Sequence, residues 1–285
     1  MPKHLGLAAM ASAAVLSLAA CGGSSGSAEE PAGSAAAGDA PAGLVNEGQA
    51  TLCIDPEYPP LEYYEDGSGG EIVGFDADAG RALAEHWGVE VKFEVTAFDG
   101  LMPGLQSRRC DMILGGLYMS EDRMEVADAA PIMNAGPAVL AAPENASDFS
   151  SPTDLCGRTV AAQAASSNAA RIAALEEECT ADGKDAPRLT EYPKTAETVL
   201  AVLNGKAEAL VETNVAAAYM ATQNEGKLEV ADGVFETDTQ FGVFSRKGDE
   251  ISPAIADGMK ALYDDGTLAE IAEKYNLDPE ILDVY

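Results

Sequence analysis

Twice along the chain, short apolar strand-like runs alternate with helical stretches. That alternation restricts the chain to folds in which a sheet is covered by helices. In the first series residues 51–54 read as a strand, and "VEVKFEV" (89–95) alternates with period two. A helix is predicted over 78–87, closed by Gly88 just after its C-cap. "FDGLMPGLQSRR" (98–109) reads as helical and "CDMILGG" (110–116) as the next strand. Ser120, Glu121 and Asp122 read as a helix start, a Ser N-cap with acids in the first turn. The second series begins near Ser151. It has a strand in "GRTVAAQ" (157–163), a Ser-capped helix over 166–179 and a helix over 195–205. A strand in "AEALVE" (207–212) and a helix over 213–226 capped by Asn214 follow. The chain returns through "DTQFGVFSRK" (238–247) into helices over 253–263 and 267–275. Two α/β units joined by two crossings predict two lobes around a cleft, with ligands at the carboxyl ends of the strands.

The N-terminal residues predict export. "MPKH" is a positive n-region, and the apolar run over 5–20 is shorter than the ~20 residues of a membrane span. It ends in "LAAC", small residues before a single Cys21, which resembles a bacterial lipobox. That resemblance implies a lipoprotein signal peptide over 1–20 and a lipid on Cys21. Residues 21–48, rich in Gly, Ser, Ala and Pro, read as a flexible tether. The formal charge of −31 argues against a nucleic-acid partner, which needs a basic stripe, and against an electrostatic grip on anionic lipid. With only His4 and His86, and no CxxC spacing, neither a metal site nor a cofactor is expected. Cysteine usage agrees with an oxidising compartment. Cys156 and Cys179 flank the first strand and helix of the second unit. Cys53 and Cys110 lie in the first and third strands of the first, so both pairs are expected as disulfides.

The polar residues cluster at strand ends: Asp55 and Tyr58, then Gly115 and Gly116, then Gln163, Ser166 and Ser167, then Glu212 and Thr213. Singly, each reads as a turn residue, a core residue or a cap. Together they point at one cleft. The run from "YPPLEYY" through "GFDAD" to "GGLYMSEDR", with "LNGKAEALVETNVAAAY" and "ALYDDGTLAEIAEKYNL", resembles the family 3 solute-binding proteins over nearly the whole body. That family supplies extracytoplasmic receptors of ABC importers for polar amino acids and related solutes. The resemblance implies a type II periplasmic-binding-protein fold, each lobe a mostly parallel sheet flanked by helices. The lobes are expected over 49–136 plus 242–285 and over 137–241, with hinge crossings near 134–140 and 238–244.

By resemblance, Tyr58 and Phe98 sandwich the solute, Asp55 meets its distal group and Arg123 grips its carboxylate. Backbone N–H groups around Gly116 and Tyr118 assist Arg123, and Ser166 and Ser167 add donors at a helix N-terminus. Asp76 and Asp78 of "GFDAD" are read as structural, a turn residue and a helix cap. The chain departs from the family pattern at Tyr118, where Ser or Thr is usual, at Leu61 for Phe and at Ala165 for Gly. It also departs at Thr213, where the acid that pairs with the solute's ammonium would stand. Glu212 precedes it, but successive strand residues face opposite ways, so the ammonium side is the weaker half. A betaine- or ectoine-like zwitterion held by a Tyr58/Phe98/Tyr118 cation–π box is therefore a second candidate beside a standard amino acid. The expected partners are a small zwitterionic solute, ABC permease subunits and, through Cys21, the outer face of the cell membrane. The protein itself is expected to be a monomer. Two rivals stay open. One is a secreted enzyme on the same fold, of the prephenate or arogenate dehydratase type, with Glu212 or Asp55 as general acid. The other is a sensor input module.

Overall fold

The computed structural model describes residues 40–285. The signal peptide, Cys21 and most of the expected tether lie outside the described residues. The body begins earlier than residue 49: Leu44 packs against the core, and the Val45 N–H donates to Asp111 Oδ1 at 2.6 Å.

The first lobe opens with β1 (Gln49–Ile54). A small three-stranded sheet follows, made of β2 (Glu57–Tyr58), β3 (Glu62–Tyr64) and β4 (Ile72–Val73). Then come α1 (Phe75–His86), β5 (Glu90–Val95), α2 (Leu101–Gln106), β6 (Met112–Ile113), α3 (Glu121–Val126) and β7 (Ala127–Ala135). The second lobe holds β8 (Pro137–Ala141), α4 (Pro143–Ala146), β9 (Thr159–Gln163), α5 (Ser167–Ala181) and β10 (Arg188–Tyr192). It continues with α6 (Thr195–Leu203), β11 (Ala209–Thr213), α7 (Asn214–Gln223) and β12 (Glu229–Ala231). The chain then returns as β13 (Thr239–Arg246), α8 (Ile251–Asp264) and α9 (Thr267–Lys274) to finish the first lobe.

The main sheets run β5-β1-β6-β13-β7 and β10-β9-β11-β8-β12. Both are mixed. β1 is parallel to β5 and β6, and β9 is parallel to β10 and β11. The strands that enter and leave the crossings, β7, β8 and β13, pair antiparallel. A chain that leaves a lobe and re-enters it beside its own exit must run antiparallel there. Thr239 already pairs with Ala135. The whole return strand is therefore in the first sheet, and the expected boundary at 241/242 falls inside it. The crossings touch: a Cβ on Gly136 would stand 2.7 Å from Glu236 O and Thr237 Cα.

Several local readings change. The α1 helix starts at Phe75, with Gly74 at its N-cap position, so Asp76 and Asp78 are helical residues rather than turn and cap. Ser120 precedes α3 but makes no capping bond. Thr213, not Asn214, caps α7, its Oγ1 accepting from Ala216 N at 3.2 Å. Asn214 instead accepts the Gly136 N–H at the crossing.

Cys53–Cys110 and Cys156–Cys179 are both bonded, 57 and 23 residues apart in sequence. Cys110 lies just before β6, not in it. Both bridges tie a strand or its approach to a neighbouring element, in cores of full burial at Cys53, Cys110 and Cys179. Replacing Cys53 and Cys110 by Ser should lower stability by about 2–5 kcal/mol, more than opening the shorter loop. Urea melts of the two double variants measure the difference.

Candidate ligand-binding site

Strand ends and helix starts from both lobes meet at one narrow cavity. Tyr58, Phe98, Gly116, Tyr118 and Arg123 line it from the first lobe. Gln163, Ser166, Ser167, Asn168, Glu212 and Thr213 line it from the second. Its volume is about 20 Å³, room for a water molecule and little more. A larger surface cavity of about 660 Å³, on the second lobe near Pro143 and Lys227, shares no residue with it. Asp55 and Gly115 do not reach the lining. Asp55 lies near Phe98; its carboxyl is pushed up to about 6 by burial first and Glu57's charge second, with Lys194's ammonium opposing. Gly115 backs the wall: a Cβ there would meet Glu62, Leu101 and Leu117 at 3.4 Å.

Glu212 reaches the site. At the last turn of β11 its side chain folds back, and Oε2 accepts the Thr213 N–H at 3.0 Å and the Tyr58 hydroxyl at 2.9 Å. Thr195 Oγ1 donates to Oε1 at 3.3 Å. Tyr58's only proton goes to Glu212, so the Thr213 hydroxyl, 2.7 Å away, is the donor of that pair. Alternation therefore fails as a guide here, because the strand ends at these two residues and both line the cavity. Burial raises the Glu212 carboxyl, against the hydrogen bonds from Thr213, Tyr58 and Thr195.

Gly116 has φ +56°, and a Cβ on it would lie 2.7 Å from Tyr58 Cε1; the position is glycine because Tyr58's ring covers it. Its N–H is taken: Asp76 Oδ2 accepts it at 2.9 Å. The expectation that this N–H serves the solute is therefore corrected. Behind it sits a buried acid pair. Burial, then the charge of Asp76, raises Glu62 well above the carboxylate range, while Asp76 stands at about 6, raised by burial. Through Asp76, which accepts the Gly116 N–H, this acid pair anchors the glycine turn. The N–H that remains is Tyr118's. Met119 N donates to Gln240 O and Gly242 N to Leu117 O, so Tyr118's own N–H and C=O point away from β13. The C=O accepts Arg123 Nη1 at 3.1 Å, which places the N–H on Arg123's side.

Tyr118's ring stacks on Phe241, centroids 5.3 Å apart and 13° between planes, so one face is closed to a cation–π box. Phe98 faces the Arg123 guanidinium at 6.0 Å. Arg123 is lowered to about 10 by burial. Among the described residues neither Arg123 nor Glu212 belongs to an ion pair. Ser166 caps α5, accepting from Ala169 N at 3.0 Å, and Ser167 begins that helix at the cavity wall. Ala165 just before has φ +62°, a left-handed conformation that explains the glycine usual there. Sequence reasoning missed Asn168 and Phe241, as well as the interlobe ion pair of Lys194 Nζ with Glu57 Oε1 at 2.6 Å. Helical phase from the Ser166 cap was the one signal for Asn168; nothing local marks the others.

Two mixed α/β sheets joined by two touching crossings, with a polar cavity between them, define a type II periplasmic-binding-protein fold. The chain belongs to the bacterial extracellular solute-binding proteins, family 3, which match residues 50–278. It is 30% identical to the L-arginine-binding protein of Pseudomonas aeruginosa over 230 residues, 78% of this chain and 85% of that one. Among solved structures it is similar to an ancestral arginine-binding protein bound to arginine, with TM-score 0.72 and 27% identity. That match covers 80% of this chain and 98% of the other. It is also similar to an ancestral amino-acid-binding protein described as a precursor of cyclohexadienyl dehydratase. There the TM-score is 0.68 and the identity 28%, over 80% and 95% of the two chains.

Proposed function

We propose that this protein is the solute receptor of an ABC importer and that its lobes close on a zwitterionic carboxylate, an α-amino acid in the first place. One observation carries the reading: Arg123 from one lobe and Glu212 from the other line the same cavity as opposite charges without ion-pair partners. A bound carboxylate opposite Arg123, aided by the Tyr118 N–H and Ser167 at the head of α5, neutralises the cation. A protonated amine opposite Glu212 neutralises the anion. Glu212 offers a hydrogen-bond acceptor that a quaternary nitrogen cannot use, which favours an amino acid over a betaine. The arginine and amino-acid specificities in the names of the similar proteins support the same class. The protein is proposed to work as a monomer, lipid-anchored at Cys21 outside the cell, opening about the crossings near Gly136 and residues 232–238. Native mass spectrometry of the protein purified without unfolding tests the reading: a co-purified zwitterion of amino-acid mass supports it, and a ligand without a carboxylate overturns it.

The second reading, an enzyme of the dehydratase type, draws on the resemblance to the dehydratase precursor and on a buried Glu212 poised to hold a proton. Recovery of the bound ligand unchanged after long incubation argues for the receptor; a dehydrated product argues for the enzyme.

Glu212 also sets a pH dependence. Its unliganded carboxyl is raised, and an ammonium partner lowers it, so binding releases a proton wherever the free site is protonated. Affinity should be constant above that raised value and fall as pH drops through it, by up to about tenfold per unit. Calorimetry over a pH series checks this, and Glu212→Gln should flatten the profile while weakening binding at neutral pH.

A further inference from the structure

We infer that the solute is a neutral amino acid whose side chain carries a hydrogen-bonding group, and that Tyr118 and Asn168 read that group. This rests on the receptor reading above.

The charges lining the cavity are one cation, Arg123, and one anion, Glu212. An α-carboxylate and an α-ammonium use both. A cationic side chain would then be enclosed without a counter-charge, at a cost far above that of any single hydrogen bond. Outward from the lining, two cations and two carboxylates are paired, while Asp55 shares Lys194 with Glu57 and the Glu62–Asp76 pair is shut behind Gly116. Arg171 meets Asp238 through two hydrogen bonds of 3.2 and 3.0 Å, and Lys194 pairs with Glu57 and faces Asp55. No carboxylate in the lining is left for a guanidinium or a second ammonium.

Two polar atoms are left over. The Tyr118 hydroxyl and Asn168 Oδ1 are buried without a hydrogen-bond partner, in residues 6% and 5% exposed. They come from opposite lobes and line the same cavity. The Asn168 amide lies near the Tyr118 hydroxyl without meeting it in hydrogen-bond geometry. Buried polar atoms are almost always satisfied. A hydroxyl or carboxamide on the solute, able both to donate and to accept, would bridge the two lobes at this point. An aliphatic side chain would leave both orphaned, the arrangement by which polar sites reject apolar analogues. With Phe241 stacked behind its ring, Tyr118 is held in place to do this.

The test is calorimetry of the full chain, freed of co-purified solute, with L-serine, L-threonine, L-asparagine, L-glutamine, L-alanine, L-arginine and L-lysine. The expected result is that at least one hydroxyl or carboxamide side chain binds about 100-fold or more tightly than arginine and lysine. Tyr118→Phe and Asn168→Ala should then each weaken that solute by about tenfold, while L-alanine changes little. Arginine or lysine binding as tightly as the best neutral solute overturns the inference and leaves the receptor reading standing. So does an unchanged affinity in both variants. Failure of all seven amino acids to bind overturns the inference, while the receptor reading stands or falls on the co-purified solute.

Discussion

Arg123→Ala should weaken solute binding by about 30-fold to several-thousand-fold, the equivalent of roughly 2–5 kcal/mol for truncating one partner of an enclosed, hydrogen-bonded charge pair. The size follows from what remains. The lining holds no second cation, so the solute's carboxylate would face only the Tyr118 N–H and the start of α5. Arg123 is positioned by its bond to Tyr118 O and lies over Phe98, so its fork is oriented before the solute arrives. Arg123→Lys should recover only part of the loss, because an ammonium meets one oxygen where a guanidinium meets two. The unliganded variant should melt no lower than the parent, since burial already disfavours the Arg123 cation, as its lowered pKa of about 10 records. Calorimetry and thermal melts on the same samples separate the two effects. Retained affinity within threefold would contradict the carboxylate role, and a large fall in the unliganded melting temperature would recast Arg123 as structural.

The largest loss of stability should come from Gly74→Ala, above about 4 kcal/mol. Gly74 has φ +120° and ψ 168°, a region close to glycine-only. An added Cβ would overlap the Leu61 carbonyl oxygen and stand 2.5 Å from its carbon and 2.9 Å from Glu62 N. These are backbone atoms, so no rotamer change relieves the clash. The same carbonyls start α1, with Phe75 N donating to Pro60 O at 3.1 Å and Asp76 N to Leu61 O at 2.8 Å. Displacing 60–62 would thus disturb the helix start, the buried Glu62–Asp76 pair and, through Asp76, the Gly116 turn. Urea unfolding of the variant, or its failure to accumulate folded, gives the measurement. A loss under about 1 kcal/mol would mean the 60–62 segment is freer than its packing implies.

Much of the α/β plan was legible because periodicity is local. β5, β9, β11, α5 and α6 fall where alternation and caps predict them. The stretch 127–141 gave no strand signal, being rich in Ala and Pro without alternation, yet it forms β7 and β8 across the crossing. Those strands exist through pairing with β13 and β11, partners about a hundred and about seventy residues away. The start of α1 was misplaced by three residues because the bonds that set it come from Pro60 and Leu61, beyond any helical window.

The candidate site divides the same way. Residue chemistry and order along the chain were enough to nominate Tyr58, Phe98, Arg123, Gln163, Ser166 and Ser167, because caps, strand ends and a family pattern are carried by neighbours in sequence. Distant contacts settled three further points. Gly116's N–H is spent on Asp76, forty residues away. Glu212's carboxylate lies beside Thr213 and Tyr58 in the cavity instead of on the far face of β11. The Tyr118 hydroxyl and Asn168 Oδ1 line the cavity, buried and without hydrogen-bond partners. Hydrogen-bond satisfaction and charge balance are properties of a volume, and this volume forms only when both lobes and both crossings are in place.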